Sequence, residues 1–440
     1  MRPRFALPAL ACAALALPAA SQQAAKPPPV NLYIDAATQS MAGMPDMGGM
    51  LGGLGGFLAR RMGGAEATTP VYPTTRGSGG LGGQYLDVAL HNRLRPGVEA
   101  QDQIPPGLRL GKALVLLPIT PGSATPTPER PVPGQAQVPD MELTIREYWG
   151  CGPNVRPGQP KVSTIKVKGG TFDPRRGPQG MGIDVQATGS VSKGLYVPDR
   201  DIDVQPGYVY WPNPKTGKPV PAGASLAGEH RITGEGIPAS MQFQVEAASD
   251  FMPKLALRSQ GEPSESIALS WPGLAQAQAY FISGMHMQMQ GENRYTLTVW
   301  SSAEVPGAGS ELHTYLGPGQ LDKWLKQKVL LPAATTSCAI PRGIFAGGSQ
   351  VQGREAGMPG MLTMTAYGPE RWITYPPKPA DPRQPWNPEW SVRLRTRSST
   401  MAMVGMDFGG MGMPEDDGEA PSPQQKKPSM KGLLKGILGG

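Results

Sequence analysis

Short alternating segments of about five to ten residues, each cut off by glycine, proline, asparagine or aspartate, leave this chain little choice of architecture. They include "QYLDVALHNRL", "MELTIREYWG" (residues 141–150), "KVSTIKV" (161–167), "GIDVQA" (182–187), "GLYVP", "EHRITGEG" and "ASMQFQVEAA" (239–248). All are rich in the valine, isoleucine, threonine and tyrosine that fit a pleated, half-buried surface. No helical pattern long enough for a parallel crossover lies between them, so they are expected to pair as antiparallel sheet. The expected fold class is all-β, with two antiparallel β-sandwich-like domains and low-complexity ends.

A second β segment begins near Glu262. Ile267, Leu269 and Trp271 alternate, residues 279–289 follow, and residues 295–300 come after the turn "QGEN". A strand ending in tryptophan, a short Pro-Gly link and a tyrosine-bearing strand resemble an immunoglobulin or fibronectin type III sandwich over about 80 residues. That resemblance implies a fold and no functional residues. The best helix signal is "GQLDKWLKQKVLLP", with Leu321, Trp324, Leu325 and Val329 at helical spacing. Two closing strands are expected in "MPGMLTMTAYGPERWITYPP" and "EWSVRLRTRSSTMAM", the second with Arg393, Arg395 and Arg397 on one face.

The ends read differently. Glycine (59) and proline (50) make up about a quarter of the 440 residues, close to the range of unstructured chains. Arg2 and Arg4 precede an apolar run, Phe5 to Ala20, that is too short to span a bilayer and ends in the small residues Ala19, Ala20 and Ser21. This is read as a secretory signal peptide; its rival is a lipoprotein signal ending at Cys12. The expected organisation is a signal peptide (1–21), a Gly/Met/Pro-rich arm (22–82), a β-rich domain (83–260), a second β-sandwich-like domain with one short helix (261–400) and a Met-rich cationic tail (401–440). No run of 18 apolar residues follows, so no transmembrane helix is expected.

The net charge of +7 is mild for this length, and nucleic acid binding would want lysines and arginines clustered on one face, so no nucleic acid partner is expected. Beyond the signal, two cysteines remain, Cys151 in "YWGCGP" and Cys338 in "TTSCAIP". An oxidising compartment favours a disulfide between them, closing a long loop that contributes about 4–5 kcal/mol at most. Two inert thiols and a catalytic cysteine are the alternatives, the last lacking an adjacent base among the scattered His91, His230, His286 and His313.

No catalytic motif was found: no nucleophile elbow, phosphate loop, HExxH or paired CxxC. Asp199, Asp201 and Asp203 alternate as a Ca²⁺ site or, more simply, as a solvated edge strand. The sharper pattern is methionine. Met41, Met44, Met47 and Met50 recur at three-residue spacing, and Met285, Met287 and Met289 share one strand face with His286 on the other. Thioethers suit Cu(I), but strand methionines equally fill cores, and Gly/Met arms equally serve as docking segments. "SMKGLLKGILGG" sorts leucines from lysines and would lie at a membrane interface if helical. Trp149, Tyr208, Tyr210 and Trp211 stand beside turns, as ligand-contact aromatics or as residues closing the core.

The chain is therefore expected to be an exported bacterial envelope protein, periplasmic or at the surface. Its role is a non-catalytic binding, assembly or structural module that contacts an envelope protein or a membrane surface, without nucleic acid and with no required cofactor. A periplasmic Met-rich Cu(I)-binding protein is the alternative. A carbohydrate-active enzyme with an unrecognised site is the third reading.

Overall fold

The computed structural model describes residues 26–42, 69–76, 82–120, 140–168, 184–190, 192–347, 350–351, 354–355, 360–381 and 383–404. The expected signal peptide, most of both arms, and Met44, Met47 and Met50 lie outside the described residues.

Within them the chain is nearly all β, as the alternation predicts. The strands in order are β1 (Val30–Met41), β2 (Gly83–Asn92), β3 (Ala100–Gln103), β4 (Ala113–Leu116), β5 (Met141–Trp149), β6 (Lys161–Lys168) and β7 (Asp184–Gly189). Then come β8 (Tyr208–Trp211), β9 (Gly228–Gly234), β10 (Gln242–Val245), β11 (Arg258–Gln260), β12 (Ile267–Ser270), β13 (Ala279–Met289) and β14 (Arg294–Ser301). The helix α1 (Pro318–Lys326) precedes β15 (Leu331–Pro332), β16 (Ser337–Ile340), β17 (Gln350–Val351), β18 (Arg354–Glu355), β19 (Met361–Tyr375) and β20 (Trp390–Met403). No strand forms at "GLYVP" or around Asp199, Asp201 and Asp203, where the chain runs as irregular loop.

One large sheet has the order β7-β6-β5-β14-β13-β19-β20-β1-β2-β8, with β15 added beside β13. Most pairings are antiparallel, but β1–β20 and β14–β5 are parallel. No helix makes these two parallel pairs; their strands are joined through many other elements, so the absence of crossover helices did not exclude them. β12 leaves the sheet of β13 and β14 and pairs with β11 and β16.

The first face of the large sheet is covered along β1, β13, β19 and β20. Val30, Leu32, Ile34 and Ala36 of β1, with Val392 and Leu394 of β20, pack against the four-stranded sheet β10-β9-β3-β4. Tyr280 and Ile282 of β13 and Leu362, Met364 and Ala366 of β19 pack against the three-stranded sheet β11-β12-β16. The small four-stranded sheet carries a buried His230–Asp102 pair, in which Nδ1 lies 3.1 Å from the carboxylate and Nε2 lies 3.0 Å from the Leu226 carbonyl oxygen. Burial lowers the affinity of His230 for its proton, but the carboxylate and carbonyl outweigh this and raise its pKa.

Cys151 and Cys338 form a disulfide with Cα atoms 5.2 Å apart. It ties the end of β5 in the large sheet to β16 in the three-stranded sheet, across 187 residues of sequence. Among the described residues no helix is long and apolar enough to cross a membrane.

Candidate functional site

The second face of the large sheet has two unlike ends. Strand alternation puts Arg393, Arg395 and Arg397 on this face, and the register places Asp35 beside Arg395. All four are buried. Arg395 donates to Asp35 through Nε at 2.7 Å and Nη2 at 2.5 Å, and Nη2 also donates to Asp201 at 2.8 Å. Burial pushes the Asp35 carboxyl up, but the charge and hydrogen bonds of Arg395 outweigh it and hold the group below the usual carboxylate range. Arg397 donates to the His313 carbonyl at 2.5 Å and to the Thr75 carbonyl. Asp201 closes this arginine cluster, while Asp199 and Asp203 face solvent, Asp203 pairing with Arg76 at 2.5 Å.

Farther along the same face the side chains turn apolar. Val299, Met285, Met361 and Met403 lie on one rung of the sheet, and Met401 pairs in register with Met41. Leu297 opposes Met287 and Tyr295 opposes Met289. Leu143 and Ile145 of β5 and Ile165 of β6 continue the surface outward. Methionines distant in sequence thus converge on one end of one face, gathered by β-sheet register. Met285, Met287 and Met289 are 49%, 45% and 40% exposed. His286 points to the opposite face, where it is buried, sits edge-on to Phe345 and is shifted to a lower pKa by burial. It therefore shares no site with its three methionine neighbours.

Between the two ends lies a cavity of about 300 Å³. Ile145, Met285, Val299 and Trp300 line it together with Ser163, Ser283, Ser310, Glu147, Glu311 and Lys161. Gly284 faces the opposite side of the sheet, where a Cβ would sit 2.7 Å from Leu362 Cδ2 of β19 and 2.9 Å from Phe345 Cζ. Of the carboxylates, Glu147 accepts from the Gly307 N–H at 2.6 Å and from the Ser192 hydroxyl, and Glu311 accepts from the Gly309 N–H at 3.0 Å.

Ser283 Oγ lies 2.8 Å from His313 Nε2, and His313 Nδ1 lies 2.8 Å from Thr365 Oγ1. A serine beside an imidazole invites a nucleophile–base reading. Two facts oppose it. Burial, then the charge of Arg397, pushes the His313 pKa down to about 3, so the ring is a poor proton acceptor. Thr365 is fully buried, and its hydroxyl proton is satisfied only if it is donated to Nδ1. Nε2 then carries the ring proton and donates to Ser283. The Ser283 hydroxyl is left with its own proton to offer, on a half-buried side chain at the cavity wall.

The sequence reading did not assemble Ser283, His313 and Thr365. They are brought together across 30 and 52 residues of sequence, and only the scarcity of histidine marked one of them. The aromatics singled out from the sequence do not form a platform. Tyr210 and Trp211 are buried, the Tyr210 hydroxyl donating to the Asp203 carbonyl at 3.0 Å and the Trp211 ring packing in the core under the four-stranded sheet. Tyr208 stacks on His91 with centroids 4.3 Å apart, and Trp149 is half-buried under Lys161. Pro and Gly turns beside them close the strands instead of exposing the rings. Among the described residues no group of three or more His, Cys, Asp or Glu is placed to hold a metal ion.

Comparison with protein-family models, with curated proteins and with solved structures finds no match.

Proposed function

We propose that this chain is an exported protein of a bacterial envelope, periplasmic or at the surface, and that it works as a non-catalytic binding or assembly module. The reading draws on the basic, apolar and small-residue pattern of residues 1–21 and on one structural observation. Apolar side chains of β5, β6, β13, β14 and β19 share one sheet face, and three methionines there stay about half exposed. An apolar surface held on a rigid sheet is the usual form of a contact site. The Gly/Met segment after Ala42 and the tail after Val404 both leave the sheet beside it, because parallel β1 and β20 end side by side. Their composition suits them to partner or membrane contact.

Fractionation with cross-linking in the native cell tests this reading. Deleting residues 43–64 and 405–440 is expected to release the protein from the envelope while the β body stays folded. Identical fractionation of truncated and full chains would refute it.

Convergence of Met41, Met285, Met361, Met401 and Met403 at one end of one face also supports the Cu(I) alternative, since thioethers from several strands approach one another there. An anaerobic Cu(I) titration against a competing chelator decides it: the alternative requires binding that survives the competitor and weakens on replacing Met285 and Met361.

A further inference from the structure

The apolar strip and the cavity are continuous, and together they have the outline of one kind of ligand. The strip begins at Ser283 on the cavity wall and runs along Met285, Met287 and Met289. At about 3.4 Å per residue it spans about 20 Å, flanked by Leu297 on one side and Met361 on the other. With strands about 4.8 Å apart, the whole apolar patch is on the order of 500 Å². That is short of the roughly 800 Å² that each partner contributes to a stable protein interface, so a second copy of the chain fits it poorly. An elongated apolar chain fits it well.

The cavity sets the head of that ligand. Glu147 and Glu311 line it against the single cation Lys161, so a carboxylate or phosphate head would meet a net negative wall. The serine hydroxyls of Ser163, Ser283 and Ser310 suit an uncharged head, and Ser283 has a proton to donate once Thr365 and His313 have satisfied each other. The matching group is an oxygen acceptor such as an ester carbonyl.

Resting on the reading of this face as the binding surface, we propose that the cavity and strip bind one neutral single-chain lipid. Its acyl chain lies along Met285, Met287 and Met289, and its uncharged head sits in the cavity, accepting a hydrogen bond from Ser283.

The test uses the full chain carrying Tyr295→Trp, opposite Met289 on the strip, and a monoacylglycerol with a brominated acyl chain that quenches the fluorescence of this tryptophan. Saturable quenching is expected, with the matching brominated fatty acid binding at least tenfold more weakly. Met287→Glu, at a surface position, is expected to weaken monoacylglycerol binding at least tenfold with an unchanged thermal midpoint. Ser283→Ala is expected to weaken it about three- to tenfold. Absence of saturable quenching, equal binding of the fatty acid, or full binding by Met287→Glu would each overturn the proposal. A dimer in solution that Met287→Glu converts to monomer, with no lipid bound, would overturn it in favour of a second copy. Envelope cross-links that persist while lipid binding fails would refute the lipid and leave the broader reading standing.

Discussion

At one end of the large sheet's second face, Arg393, Arg395 and Arg397 are sealed from solvent; at the other, Met285, Met287 and Met289 stand about half exposed. Both sets occupy alternate positions of a single strand, on strands separated by β19 alone. On hydropathy the outcome should be reversed. The difference lies in what crosses above them. Loops bring Asp201, Thr75 and Tyr315 over the arginines, with a carboxylate, a carbonyl and an aromatic face for the guanidinium groups. Over the methionine end, among the described residues, the segment bearing Gly307 to Glu311 reaches only the cavity. Burial thus follows the available partners, since a buried charge is tolerated only when it is paired and hydrogen-bonded.

The largest expected effect is on the half-covered end. That end has less burial to hold β5 and leans on the Cys151–Cys338 link to the three-stranded sheet. Replacing both cysteines with serine is expected to lower unfolding stability in urea by about 4–5 kcal/mol, the upper range for so long a loop. A loss under about 1 kcal/mol would show that packing alone secures this end.

Arg395→Leu addresses the sealed end and leaves Asp35 buried without its hydrogen-bonded guanidinium, with only Arg393 in ion-pair range at 3.9 Å. A loss of about 3–5 kcal/mol is expected from urea unfolding. If the variant is as stable as the parent, the arginine end is held by its apolar neighbours and the contrast between the ends loses its electrostatic basis.

The boundary between the ends is read by pH. The folded protein keeps His313 neutral down to about pH 3, whereas the unfolded chain takes up a proton below the ordinary histidine value of 6.5. Stability should therefore fall as pH drops below 6.5, by about 1.4 kcal/mol per unit from this group. Thermal unfolding of His313→Gln against the parent between pH 4 and pH 8 should lose that slope. The His230–Asp102 pair has the opposite sign. Its raised histidine pKa gives a contribution that is full below 6.5 and is lost as pH rises through the folded value. His230→Gln should therefore flatten the alkaline side only.

The smallest effect belongs to the exposed methionines. Met287→Ser is expected to change unfolding stability by less than about 0.5 kcal/mol, as at other surface positions. A loss of several kcal/mol would mean that this residue is covered in solution, and the two ends would then be alike.

Much of the strand framework was legible from residue patterns alone. The run from Met141 to Trp149, the pair 279–289 and 295–300, and the alternating 390–403 each announce themselves through β-branched and aromatic residues between turn formers. The disulfide pair was legible by elimination, and His286 facing away from Met285 and Met287 followed from the two-residue period of a strand. The aromatics at 208–211 left two readings open, because a strand closing a core and a surface platform carry the same residues; Tyr210 and Trp211 are buried.

By itself, the sequence determined which segments are strands and which side chains share a face, because both are local consequences of backbone period and side-chain shape. Tertiary structure decided which face is covered. Arg395 meets Asp35 across 360 residues and Arg397 meets Thr75 across 322, so no local pattern could show that the arginine face is interior. The same holds for Met41, Met285, Met361 and Met403, which sheet register alone brings to one end. Met285, Met287 and Met289, neighbours within one segment, became part of a surface shared by several strands.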